Sequence, residues 1–239
     1  KKSMMKPLPK NIIYLGLVLL FFVAVSISCG LPVYYTLEPP TSDTLPNIDP
    51  ASRYFSFKTA DEKNASMDIY LGVNVYYKIY NDSATLNTDI NSIHTSNVEY
   101  SDNGMRRLQN LGYSELFLQQ NIDNTNDSLI PLNGTDRSVK IRLFKEGTSD
   151  LYLPGVSIND VPIPGSIPVR AVVYKKFDFF RDDTFFPGQN DSDVKYTSTA
   201  GDDKWYVNAY AVSIGRDSNF RTNYSSVLHL GFITIARNL

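Results

Sequence analysis

Few residues in this chain of 239 could do chemistry by type, and they lie far apart: one cysteine, Cys29, and two histidines, His94 and His229. A hydrolase needs a base held beside a nucleophile, and no nucleophile-elbow sequence accompanies either histidine. Neither sits in a metal-spaced cluster. There is no phosphate-binding glycine loop and no zinc-binding helix signature. Paired carboxylates alone can hydrolyse glycosides when about 5–5.5 Å apart, a separation that sequence does not measure. The acidic groups "NDSD" at 190–193 and "GDD" at 201–203 offer oxygens to calcium, which takes about six to eight. Neither follows the EF-hand spacing, and both read as solvated turns whose Asx side chains bond the local backbone. The expectation is therefore no catalytic residue, no metal, no cofactor and no enzymatic activity.

The densest aromatic stretch is "YKKFDFFRDDTFFPG" at 174–188. If exposed, Phe177, Phe179, Phe180, Arg181, Phe185 and Phe186 would form an apolar patch rimmed by charge, a common form of interaction surface. The alternative, which we favour, is that the phenylalanines close the end of a core.

Charge is uneven along the chain. Lys1, Lys2, Lys6 and Lys10 precede an apolar run from Ile12 to Ile27, with no acid before Cys29. This is the n-region and h-region of a secretory signal. The run falls short of the roughly 20 apolar residues of a membrane span, and it contains Tyr14, Gly16 and Ser26. The chain has 23 basic and 25 acidic residues, so loss of four lysines with the signal leaves 19 against 25. An acidic domain without a basic cluster is a poor candidate for nucleic acid. A lone exported cysteine makes no internal disulfide, so its thiol is expected to be modified.

Ser26-Ile27-Ser28-Cys29 resembles a bacterial lipobox, in the relaxed form of spirochaete lipoproteins. A small residue precedes the cysteine, Ser26 stands where leucine is usual, and Gly30 follows. The resemblance implies a signal peptide over 1–28, diacylglycerol on the Cys29 thiol, and retention by acyl chains (palmitate among them) at the outer membrane. Stable anchoring takes more than one acyl chain, and such cysteines carry two or three. Residues 29–52 contain Pro32, Pro39, Pro40, Pro46 and Pro50 and read as a semi-rigid tether, reaching at most about 70 Å in polyproline form. Its second half has the option of supplying an edge strand.

From residue 53 the hydrophobic period is two. In "YLGVNVYYKIY" at 70–80, Val73, Val75, Tyr77 and Ile79 share one face; Asn74, Tyr76, Lys78 and Tyr80 share the other. Similar alternation recurs at 138–144, 169–177, 204–212 and 227–236, separated by turn formers such as Asn133-Gly134 and Pro154-Gly155. His229 falls in the last run, alternating with Val227 and Gly231. This predicts an antiparallel β-sandwich. Helical spacing of Leu86, Ile90 and Ile93, and of Met105, Leu108 and Leu111 before Gly112, predicts one or two short helices inserted around 83–120.

"WYVNAYAVSIGRDSNFRTNYSS" at 205–226 resembles the penultimate strand and following loop of a fibronectin type III domain, with Trp205 at the usual tyrosine position. "VNVYYKIY" resembles that family's third strand. The resemblance implies a mainly β fold: a single elaborated fibronectin- or immunoglobulin-like sandwich over 53–239, behind an N-terminal signal helix. The combination also resembles uncharacterised treponemal-type lipoproteins, which implies an address but no activity. The functional expectation is a lipid-anchored envelope protein that binds or scaffolds envelope or surface macromolecules. The alternative is a solute- or glycan-binding lipoprotein using aromatic side chains.

Overall fold

The computed structural model describes Tyr14 and residues 36–121, 128–145, 152–172 and 174–236. Residues 1–35 and Thr36–Leu239 form separate compact units. The expected signal segment, apart from Tyr14, and the acylation site Cys29 lie outside the described residues.

Strands are numbered β1–β14 and helices α1–α3 in chain order. One sheet runs in the order β1 (Thr41–Ser42), β2 (Phe55–Lys58), β7 (Ser138–Arg142), β8 (Gly155–Ile158) and β9 (Val161–Pro162), antiparallel throughout. The second is built on β3 (Tyr70–Tyr80) and β12 (Lys204–Arg216), paired antiparallel along their length. On its far side β12 pairs with β14 (Leu228–Ala236) and β13 (Thr222–Tyr224). The outer side of β3 carries three short pieces: β4 (Ser114–Glu115), β6 (Ile130–Pro131) and the parallel β11 (Val194–Lys195). A separate ribbon joins β5 (Phe117–Leu118) to β10 (Pro168–Val169). The helices are α1 (Asp61–Asn64), α2 (Ser83–Ser96) and α3 (Asn103–Asn110).

The fold is mainly β, an elaborated antiparallel sandwich. Its two pairing orders, β1-β2-β7 and β3-β12-β14, match the A-B-E and C-F-G orders of immunoglobulin-type sandwiches. The elaborations fall between β3 and β7, where α2 and α3 are inserted, and between β7 and β12.

Both faces of β3 are buried because two different layers cover them. Val73, Val75, Tyr77 and Ile79 join Phe55, Phe57, Val139, Ile141, Trp205 and Val207 in the core between the sheets. Tyr76 and Tyr80 face the other way, with Tyr210 and Val212, onto Leu86 and Ile93 of α2 and Met105 and Leu108 of α3. The sequence period of two is obeyed, but its polar-looking face packs under helices. Asp82 caps α2 by accepting from Thr85 N, and Gly112, at φ +73°, ends the turn after α3.

Two sequence expectations need correction. The expected domain boundary at residue 53 moves back to 36, because the second half of the proline-rich stretch packs on the sandwich. Leu37 is buried against Ile69 and Tyr70, the Asn64 amide brackets the Glu38 backbone with two 2.9 Å bonds, and β1 pairs β2. Second, among the described residues the alternation at 169–177 makes no strand beyond Val169. Arg170 turns inward there to reach buried carboxylates.

Candidate functional site

The aromatic stretch at 174–188 mostly closes the core. Phe177 and Phe179 are fully buried, and Phe180 and Phe186 pack against the same core. Phe185 is half-buried and Arg181 exposed. Phe177 meets Tyr77 edge-on at 5.2 Å and Phe186 meets Trp205 at 5.6 Å. These side chains therefore do not present a joint exposed apolar patch.

In "NDSD" Asp191 does bond the local backbone, accepting from Gly188 N at 3.0 Å, but with the fully buried Asp193 it also belongs to an ion cluster. Arg170, fully buried, donates to both oxygens of Asp193 at 2.9 and 2.7 Å and to Asp191 at 2.6 Å. The Tyr77 hydroxyl donates to Asp193 at 2.6 Å. The cluster pins the 170–193 loop across the end of the sandwich. Among the described residues no group of three or more His, Cys, Asp or Glu could hold a metal ion.

The feature best shaped to receive something lies over β14. The strand carries one extra residue: Ala209 pairs Gly231 and Tyr210 pairs His229, leaving Leu230 unmatched. Gly231 supplies the positive φ, +83°, that such a bulge requires. Leu230 drops into the core, and His229 swings onto the face that also carries Phe232 and Thr234. Helix α2 packs over β3 and β12, so the face of β14 lies beside the helical layer. The 45–48 segment crosses at Gly231, where a Cβ would lie 3.0 Å from Pro46 Cδ. Between strap and strand is a cleft of about 710 Å³, lined by Leu45, Pro46, Ile48, Phe232 and Ala236, with Arg53, Lys204 and His229 as its ionisable groups.

His229 is the polar end of a chain through the helical layer. Lys195 Nζ donates to both oxygens of Asp89 at 2.8 and 2.9 Å. The Tyr80 hydroxyl donates to Asp89 at 2.9 Å and shares a 3.0 Å bond with the Tyr113 hydroxyl. Asn208 Nδ2 donates to Tyr113 at 2.7 Å, and His229 Nε2 lies 2.8 Å from Asn208 Oδ1. A carboxylate only accepts, and each hydroxyl has one proton. With Tyr80 donating to Asp89, the shared bond takes its proton from Tyr113. Asn208 then presents Oδ1 to the histidine, so His229 carries its proton on Nε2 and keeps Nδ1 as an acceptor. Burial, with a smaller effect from His94, pulls His229 down to about 4, so it is neutral at physiological pH. The ring stacks on Tyr210 at 4.7 Å.

Sequence reasoning placed His229 in the last strand but missed the cleft. A lone Gly in an alternating run signals a bulge, and Gly231 was that signal. Nothing in the local sequence marked 45–48 as its opposite wall. No protein family, curated protein or solved structure matches this chain.

Proposed function

We propose that this chain is an exported, lipid-anchored protein of a bacterial envelope, without catalysis of its own, and that it is a binding module for a small apolar molecule held in the cleft over β14. The observation that carries the binding half is the cleft itself. Its volume of about 710 Å³ falls within the range of small-molecule sites, which are mostly apolar with a few placed polar groups. Among the described residues no tyrosine lines the cleft, so sugar stacking on tyrosine faces is not supported there. The anchoring half rests on the lipobox-like stretch ending at Cys29 and the basic-then-apolar start before it.

The test is a titration of the full chain with the uncharged fluorescent probe N-phenyl-1-naphthylamine. Wild type should show one saturable site. Thr234→Trp, which puts an indole into the groove from a half-exposed strand position, should abolish the site while leaving circular dichroism and thermal unfolding unchanged. Equal binding by both proteins would overturn the assignment.

The cleft's rim favours a second reading, docking of an envelope macromolecule. Leu45 and Ile48 are 63% and 85% exposed, as apolar anchors of an interface would be. In that case Ile48→Asp would weaken co-purification of an envelope protein, and the wild-type chain would show no saturable site for the probe.

A further inference from the structure

The cleft is long and has unlike ends. Its floor follows β14 from His229 to Ala236, opposite Tyr210 to Lys204, six ladder steps of about 3.3 Å, or roughly 20 Å. At the Ala236 end, Lys204 sits directly opposite in the ladder. Arg53 is at the same end, since it lines a neighbouring hollow with Ile235 and Ala236. The middle is Phe232 and Gly231 under Pro46 and Leu45. At the far end the ionisable group among the described lining residues is the neutral His229. Among the described lining residues the two charged ones are cations and none is acidic.

Resting on the reading of the cleft as a small-molecule site, we propose that its ligand is an elongated amphiphile with a single anionic head, the class of a long-chain fatty acid. The head lies by Lys204 and Arg53, and the tail runs along β14 under the 45–48 strap toward His229. Charge complementarity selects the head. Lys204 is an exposed ammonium over the Tyr206 ring, 5.7 Å from its centroid, at the mouth of an apolar groove where a carboxylate would be partly desolvated. Such a setting strengthens an ion pair over a fully exposed one. The apolar middle selects the tail, because an extended chain buries CH₂ groups along its whole length. A compact anion would leave most of the groove uncovered, and a neutral hydrocarbon would offer nothing to the exposed Lys204 ammonium.

The test is displacement of N-phenyl-1-naphthylamine from the full chain by hexadecanoate, hexadecan-1-ol and hexanoate. Hexadecanoate should displace it best and hexanoate hardly at all. In Lys204→Gln the affinity for hexadecanoate should fall about tenfold, the size expected for one charge-assisted hydrogen bond, to that of the alcohol. Affinity for the alcohol should not change. Equal displacement by acid and alcohol, unaltered by Lys204→Gln, would overturn the anionic head while leaving an apolar site in place. Hexanoate matching hexadecanoate would overturn the elongated tail. If the probe itself shows no site sensitive to Thr234→Trp, the reading beneath this inference falls and the inference falls with it.

Discussion

At the start of β12 the indole N–H of Trp205 donates to the Asp202 carbonyl at 3.0 Å, with the ring fully buried. In fibronectin- and immunoglobulin-type sandwiches a tyrosine hydroxyl near the start of the same strand reaches back to the backbone. Trp205 makes the equivalent bond with a different donor, so the substitution noted in the sequence preserves the corner. Trp205→Phe should cost about 1 kcal/mol for the lost hydrogen bond, and Trp205→Ala about 3–5 kcal/mol through the cavity, both read by urea unfolding. Arg170→Met should cost at least about 3–5 kcal/mol, because it leaves Asp193 buried without its counter-charge. Two titrating groups oppose each other in pH. His229, held below its ordinary pKa, binds fewer protons folded than unfolded, so its contribution falls as pH drops from 6.5 through about 4. Burial pushes Glu115, which accepts from Asn74 at 2.7 Å, up to about 7. Its folded form holds a proton more tightly, so stability falls as pH rises from 4.5 through about 7. Glu115→Gln should therefore raise the melting temperature at pH 8 and leave it nearly unchanged at pH 4. An equal effect at both values would remove the buried carboxyl from the account.

At the scale of elements, the β-strands with strong alternation were legible. The run at 70–80 is β3, and those at 138–144, 204–212 and 227–236 contain β7, most of β12 and β14. The helices at 83–96 and 103–110 were legible from the spacing of Leu86, Ile93, Met105 and Leu108. The failure at 169–177 has a physical cause. Its pattern suits a strand, but Asp193 lies 23 residues away and draws the Arg170 guanidinium inward. The cleft was illegible for a similar reason. One bulge residue decides which way His229 points, and the opposite wall is supplied by residues about 180 positions earlier. Deleting Leu230 should remove the bulge and leave His229 opposite Tyr210 on the cleft face, because Ala209 and Gly231 keep their pairing. The His229 imidazole would then keep Asn208 as a partner, visible as retention of its slowly exchanging Nε2 proton in NMR spectra. Loss of that proton signal would show that the extra residue itself holds the histidine in place.

For the whole molecule, one central sheet separates two cores, one shared with the second sheet and one with the helices. The packed unit begins at Thr36, seven residues after Cys29. Cys29→Ala in the native host should move the protein from the membrane fraction to the soluble fraction. Retention in the membrane would contradict lipid anchoring through that thiol. The central claim, that the cleft over β14 is a binding site, is tested most directly by amide chemical-shift mapping of the full chain with saturating hexadecanoate. Shifts should concentrate at Leu45, Asn47, Ile48, Lys204 and His229–Ala236, with the helical layer's outer face silent. Shifts centred on the aromatic segment at 174–188, or no shifts at all, would contradict it.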